Sequence, residues 1–345
     1  MKVLVTGATG FVGAHSAAAL QADGHELRLL VRNRDKARRI GAAVGLTDPE
    51  LVDGDITDAA SVRAALAGCD AVLHAAGAVS VERKHAAESL VVNQAGAEHV
   101  LREAAELGLA PIVHVSSTSA LAPGAAPLRV DAPVAQSVGY AASKAAAEHV
   151  ARELQAGGAP LHITYPAGIV GPAAGEALGE TSRGMARFVA GGMLPTRHAS
   201  LSVIDVRDVA EIHRRLLAGM VTPEQRVMCG GTMLTMADLQ REVGALTGRR
   251  FPIAPLSPAA LRGMGRAVDR LAARLPMEPA LTEEAMTLIT EWQGTEDNAP
   301  TGLGVTYRPI AETLETALDA WLAAGLLTTR QRGTPRRPDS KRSTP

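Results

Sequence analysis

Tyr140 and Lys144 stand four residues apart in SVGYAASKAAAEHV (137–150), within a chain that has only three tyrosines. On a helix that spacing places both side chains on one face. A phenol ordinarily ionises near pH ~10, too high for acid–base work at neutrality. A neighbouring ammonium favours the phenolate and lowers that value. The pair is therefore a tuned proton donor. Ser117, at the end of a β-rich run, is placed to hydrogen-bond the same substrate oxygen. In isolation, Tyr and Lys at this spacing describe ordinary helix surface, so the reading depends on the elements around them.

Those elements alternate. KVLVT (2–6), ELRLLVR (26–32), ELVDGDI (50–56), AVLHAAG (71–77), PIVHVSS (111–117) and LHITYPAG (161–168) read as strands. Each is a nearly continuous apolar run, as expected when helices cover both faces of a parallel sheet. Helical patterns at 13–24, 59–68, 89–108 and 140–158 lie between them. This rhythm implies an α/β fold with a doubly wound parallel sheet. Beyond residue 172 it changes. Glycine and proline punctuate 171–200, and helical patterns dominate at 236–248, 257–275, 281–292 and 310–327. The expected division is a first domain at 1–171, to which 201–230 returns, and a smaller, mostly helical substrate lobe at 172–200 and 231–327. A basic tail at 328–345 is expected to be disordered.

In TGATGFVGAH, Gly7, Gly10 and Gly13 fall between the first strand and the first helix. Gly7 permits the tight turn, Gly10 lets backbone approach a diphosphate, and Gly13 lets the helix pack on the strand. A tight turn without ligand is the competing reading, but strand and helix flank the glycines as a Rossmann dinucleotide site requires. Behind such a turn, Tyr140 and Lys144 become the proton donor for a carbonyl receiving hydride. Where an NAD site usually carries an acid, LLVRNRD has Arg32 and no acid before Asp35. A guanidinium there suits a 2′-phosphate, favouring NADP(H) over NAD(H). The competing reading is a solvated Arg32, with Asn33 capping the next helix. Asp55 and Ile56 end the third strand where a carboxylate meets an adenine amino group, although a plain loop aspartate fits too. In HAAG, the small residues after His74 let a cofactor lie close over the sheet; His74 alone reads as a core histidine.

Composition bounds the alternatives. Apolar residues make up 46% and charged residues 21%, an ordinary soluble balance. The net charge of −1 offers no whole-chain attraction for nucleic acid or an anionic membrane. Two distant cysteines, Cys69 and Cys229, exclude a disulfide framework and a cysteine zinc site, and no metal is expected. Thr6, Gly7, Thr9 and Gly10 interrupt the N-terminal apolar run that a signal peptide would need. With no stretch as long as a membrane span, a cytoplasmic protein is expected.

The motifs together resemble the extended short-chain dehydrogenase/reductase family. TGATGFVG resembles its TGxxGxxG, which implies cofactor contacts at Thr9, Phe11 and Val12 as well as at the glycines. "DI" (55–56) resembles its adenine-pocket pair, and HAAG its fourth-strand motif, which implies His74, Ala75, Ala76 and Gly77 against the cofactor. NQAG resembles its Asn-bearing helix, HVSSTSA its serine strand, YAASK its YxxxK, and PAGIVGP its PxxxxGP with Pro166 and Ile169 beside the nicotinamide. The resemblance implies Ser117, Tyr140 and Lys144 as catalytic, with Tyr140 and Lys144 also against the cofactor and Lys144 on the nicotinamide ribose; Ser116 and Thr118 are the fallback hydroxyls, and Asn93 supports the site through a water or backbone contact. Tyr165 departs from the pattern, since many members carry Arg there. LLVRNRDKA is most similar to NADPH-using carbonyl reductases related to dihydroflavonol 4-reductase, with 3β-hydroxysteroid dehydrogenases close behind. The implied activity interconverts a ketone or aldehyde with an alcohol, on a substrate chosen by 78–90, 172–200 and the helical lobe. Rival readings are a nucleotide-sugar epimerase or dehydratase with tightly held NAD, an NAD-dependent hydroxysteroid-type dehydrogenase, and a non-catalytic dinucleotide sensor. A homodimer through the helices bearing Asn93 and Tyr140 is also implied.

Overall fold

The computed structural model describes residues 1–78, 86–122, 127–136, 139–220, 225–272 and 282–335, without the side chains of 86, 87, 139, 140 and 284. Strand and helix alternate from the start: β1 (Lys2–Thr6), α1 (Phe11–Ala22), β2 (Glu26–Val31), α2 (Arg34–Ala43), β3 (Glu50–Asp53), α3 (Ala59–Leu66) and β4 (Ala71–His74). Next, α4 (Ala86–Ala97) passes through a π turn at Glu98–Arg102 into α5 (Glu103–Glu106). β5 (Ile112–Val115), α6 (Gly139–Ala156), β6 (Leu161–Pro166) and β7 (Gly168–Val170) follow. The chain continues through α7 (Glu180–Gly191), β8 (Ser200–Asp205), α8 (Val206–Leu217), β9 (Arg226–Cys229) and β10 (Thr232–Thr235). Helices α9 (Met236–Thr247), α10 (Pro258–Ala272), α11 (Glu283–Glu291), α12 (Ala299–Leu303), α13 (Ile310–Ala323) and α14 (Thr329–Arg332) complete it.

Seven strands form one sheet in the order β3-β2-β1-β4-β5-β6-β9, and every neighbouring pair is parallel. Except in the edge strand β3, which is at most half-buried, their apolar runs are buried on both faces, which is why they read as continuous rather than alternating. On one face Val3, Val5, Leu73 and Val113 pack with Ala17 and Leu20 of α1 and Ile212 and Leu216 of α8. The strand order reverses between β1 and β4. In such sheets ligands bind at the carboxyl ends of the strands beside that reversal. Because the strands are parallel, the residues following β1 to β5 and the end of β6 all emerge at one edge.

The chain divides into two compact units. One comprises Met1–Glu180, Ser202–Thr232 and Gln293–Arg308; the other comprises Thr181–Leu201, Met233–Trp292 and Pro309–Pro345. Two expectations need correcting. Residues 293–308, expected in the helical lobe, belong with the sheet. Asn298 accepts from Met228 N–H at 2.8 Å and donates to the Arg226 carbonyl at 3.0 Å, while Asp297 accepts from Gly230 and Gly231 N–H. These side chains satisfy the exposed edge of β9, a long-range service invisible to local pattern. The tail is not wholly irregular: Thr328 and Gln331 form a capping box that opens α14, and Arg332 bonds Asp319 at 2.7 Å. Helix α7 lies in the stretch that glycine and proline punctuate. It buries Ser182, Met185, Ala186 and Val189 at helical spacing, and Trp321 Nε1 donates to Ser182 Oγ at 2.7 Å. Among the described residues no helix is long and apolar enough to cross a membrane, and no cluster of three or more His, Cys, Asp or Glu side chains could hold a metal.

Candidate active site

The glycine turn leaves β1 at Thr6 and enters α1 at Phe11. Gly7 has φ +78°, and a Cβ built on it would lie 2.5 Å from the amide nitrogen of Ala76. The turn therefore touches the end of β4 backbone to backbone. At Gly13 a Cβ would sit 2.2 Å from the Gly7 carbonyl oxygen, which cannot move without breaking the turn. Gly10 is exposed and caps α1 with no side-chain hydrogen bond, leaving the amides of the first turn bare. No acid lies in that first turn. A bare helix N-terminus behind backbone-only walls fits the diphosphate of a dinucleotide. Phe11 is buried, packing edge-on against His15 and beside Gly179, and Val12 is half-buried against the core. Both can offer amides but not free side chains. Thr9 is half-buried. Gly13→Ala is expected to cost about 1–3 kcal/mol of stability by overpacking and to weaken dinucleotide binding. Thermal unfolding with and without cofactor measures both, and an unchanged melting profile with full affinity would refute the role.

Thr6 braces this junction. Its hydroxyl bonds His74 Nδ1 at 2.8 Å and accepts from Ala76 N–H at 3.3 Å. His74, expected among the cofactor-binding residues, is 1% exposed and stacks on His114 with ring centroids 5.4 Å apart. Burial pushes its pKa down to about 3, so it is neutral. Its side chain supports the turn from beneath, leaving Ala75, Ala76 and Gly77 to present backbone.

At the ends of β2 and β3, Arg32 Nη1 stands 3.6 Å from Asp55 Oδ2 and is 80% exposed. Asp55 accepts from the Thr57 amide and hydroxyl at 2.9 and 2.8 Å, and the amide bond is the main cause that holds its pKa below the usual aspartate value. The neighbouring arginines are engaged: Arg34 Nε bonds both oxygens of Asp53 at 2.9 Å, and Arg38 bonds Asp35 at 3.0 Å. Asn33 caps α2 as its side chain accepts from Lys36 N–H. Ile56 is half-buried; a Cβ on Gly96 would meet its Cδ1 at 2.5 Å.

Lys144 projects from α6 toward the end of β4. A Cβ on Gly77 would lie 3.1 Å from Asn93 Oδ1 and 3.6 Å from Lys144 Nζ, so the three meet at one point. The lysine side chain is half-buried, and desolvation pushes its pKa down to about 8 against the pull of Glu148. Asn93 accepts from Ala78 N–H at 2.7 Å and donates to the Ala78 carbonyl and to Ser143 Oγ, both at 3.0 Å. One of its N–H donors thus clamps the chain after β4, and the other ties that point to α6. Ser117 is half-buried at the head of the Thr118–Ala120 turn, accepting from Ser119 N–H at 3.1 Å. Of its neighbours, Ser116 is committed to Glu148 at 2.7 Å and Thr118 reaches the Pro166 carbonyl at 3.4 Å. Tyr140 opens α6 one turn before Lys144, and its side chain lies outside the described residues, as do 79–85 of the expected substrate loop. Pro166 ends β6 buried, and Ile169 of β7 pairs with Ile204 of β8. Sequence reasoning overlooked Thr6, Ser143 and Glu148; only Glu148 carries a signal, its i+4 spacing from Lys144.

The comparisons agree with this geometry. Residues 3–229 match the NAD dependent epimerase/dehydratase family. Sterol demethylase protein B of Methylococcus capsulatus is 29% identical over 283 residues, spanning 79% of this chain and 83% of its own. Cinnamoyl-CoA reductase 1 of Oryza sativa subsp. japonica is 30% identical over 265 residues, spanning 72% and 76%. The crystal structure of gox2253, 28% identical, superposes with a TM-score of 0.76 over 94% of this chain and 99% of its own. A family match over most of the sheet-forming chain, joined to a dinucleotide turn built from backbone alone, means that this protein belongs to the NAD-dependent epimerase/dehydratase family and is an NAD(P)-dependent oxidoreductase of the extended short-chain type.

Proposed function

We propose that the protein is an NADP(H)-dependent reductase that interconverts a ketone or aldehyde with an alcohol through Ser117, Tyr140 and Lys144. The observation that carries this reading is the half-buried Lys144, its pKa lowered to about 8, meeting Gly77 and Asn93 at the strand edge one helical turn from Tyr140. When bound, the nicotinamide cofactor supplies the hydride. The residues of the chain do the rest. Ser117 hydrogen-bonds the carbonyl oxygen, and the Tyr140 phenol delivers a proton to that oxygen. Lys144 favours the phenolate and so eases the transfer. Asn93 secures the backbone after β4, keeping the wall beside Lys144 in place. A relative named cinnamoyl-CoA reductase supports carbonyl reduction. Screening carbonyl compounds for NADPH oxidation tests the class, and stoichiometric retention of NAD with epimerisation of a sugar nucleotide would overturn it.

Arg32 supports NADP(H). Among Arg32, Arg34 and Arg38 it is the one held by nothing shorter than a 3.6 Å ion pair, and Asp35, the rival ribose ligand, is engaged by Arg38. A planar fork suits a 2′-phosphate. Charge-assisted hydrogen bonds contribute about 1.5–3 kcal/mol, so NADPH is expected to bind about ten- to a hundredfold tighter than NADH. Arg32→Ala should erase that margin in a fluorescence titration with both cofactors. Tighter NADH binding by the wild type, or full NADPH affinity in the variant, would overturn the assignment.

A further inference from the structure

We propose that Glu148 is a positioning residue for this site: its buried carboxylate ties the ends of β5 and β6 to α6 and sustains the charge of Lys144. The inference rests on the proposed role of Lys144. Glu148 is 0% exposed, one turn beyond Lys144 on the same helix. A carboxylate out of water is costly unless it is paired and fully hydrogen-bonded. Here Oε1 accepts from Arg152 Nε at 2.7 Å and from the Tyr165 hydroxyl at 2.6 Å, and Oε2 accepts from Ser116 Oγ at 2.7 Å. Two of these donors adjoin residues of the site, since Ser116 precedes Ser117 and Tyr165 precedes Pro166. Arg152 extends the network by donating Nη1 to the Ala132 carbonyl at 3.0 Å, in the segment leading toward α6. Tyr165, the departure from the family pattern, thus has a use. Burial raises its pKa, keeping the phenol a donor to Glu148.

Three described groups with titratable side chains face Lys144: Glu148 on its own helix, and His74 and His114 from β4 and β5. Burial keeps both histidines neutral, with pKa values well below their ordinary range. Asn93, from α4, is uncharged. Among the described residues, Glu148 is therefore the one group whose charge opposes the desolvation of Lys144. Without it, burial acts alone and the ammonium is lost at lower pH.

Glu148→Gln isolates the charge, because an amide oxygen can still accept from Arg152 and Tyr165. The chain has five lysines, so reductive ¹³C-methylation of the full-length, cofactor-free protein gives a countable NMR spectrum in which Lys144→Arg assigns the Lys144 signal. In Glu148→Gln the Lys144 pKa is expected to fall by about one to two pH units, the interaction of charges one helical turn apart at an effective dielectric near ~20. The alkaline limb of the pH–rate profile should fall with it. Tyr165→Phe removes a donor but keeps the charge, and should leave the Lys144 pKa where it is. An unshifted Lys144 in Glu148→Gln, or an equal fall in Tyr165→Phe, would overturn the proposal. Should the Gln variant fail to fold, Glu148→Asp decides: with the charge retained, Lys144 must stay within about half a unit of wild type, and a larger fall refutes it. The titration reads Lys144 directly. If it shifts as expected while Tyr140→Phe still turns over, the catalytic reading fails and the electrostatic one stands.

Discussion

Tyr140→Phe is expected to lose about 10²–10⁴-fold in kcat, the contribution typical of a positioned general acid, while dinucleotide affinity survives. Phe keeps the ring and deletes only the hydroxyl, so no cavity opens at the start of α6. The expectation comes from the helix that carries it: Tyr140 and Lys144 are one turn apart, and Lys144 meets Gly77 and Asn93 beside the glycine turn. Steady-state kinetics on a carbonyl substrate, with a parallel cofactor titration, separate the two effects. Near-normal turnover would make Tyr140 a surface residue of α6.

Lys144→Met should act twice. The family resemblance implies that Lys144 also holds the nicotinamide ribose, and loss of that charge-assisted contact, worth about 1.5–3 kcal/mol, weakens cofactor binding about ten- to a hundredfold. The pH dependence moves as well, and its sign follows from the phenol. In alcohol oxidation the phenolate accepts the proton, so the rate rises with pH through the phenol pKa. Lys144 is charged below about 8 and depresses that pKa. Replacing it with Met returns the phenol toward ~10, and the rising limb of the residual activity moves to higher pH. An unmoved limb together with unchanged cofactor affinity would sink the assignment.

The parts of this protein that local chemistry dictates were legible without coordinates. Strands buried on both faces announce themselves as continuous apolar runs, which is why β1, β2, β4, β5 and β6 coincide with runs from KVLVT to LHITYPAG, while β3, at the sheet edge, is at most half-buried. Gly7 and Gly13 were legible for a related reason: a Cβ at either position would lie 2.5 Å or 2.2 Å from backbone, a demand that glycine alone meets. The helical spacing of Tyr140 and Lys144 is likewise a property of the chain itself.

What tertiary structure decided are the pairings between residues far apart in sequence. His74 could be read as a cofactor contact until Thr6 and His114 were seen to enclose it. Ser116 and Ser117 are interchangeable as letters; only the 2.7 Å bond to Glu148 withdraws Ser116. Segment 293–308 joins the sheet because Asp297 and Asn298 satisfy backbone groups at and just beyond β9, some seventy residues earlier in the chain. Glu148 itself is a surface-like residue by composition, and it is buried because Ser116, Arg152 and Tyr165 converge on it from three segments. Periodicity reports which face of an element is apolar. It carries no information about which polar group from a distant segment will complete a buried hydrogen bond, and those bonds distinguish the residues free to react from the residues that hold them.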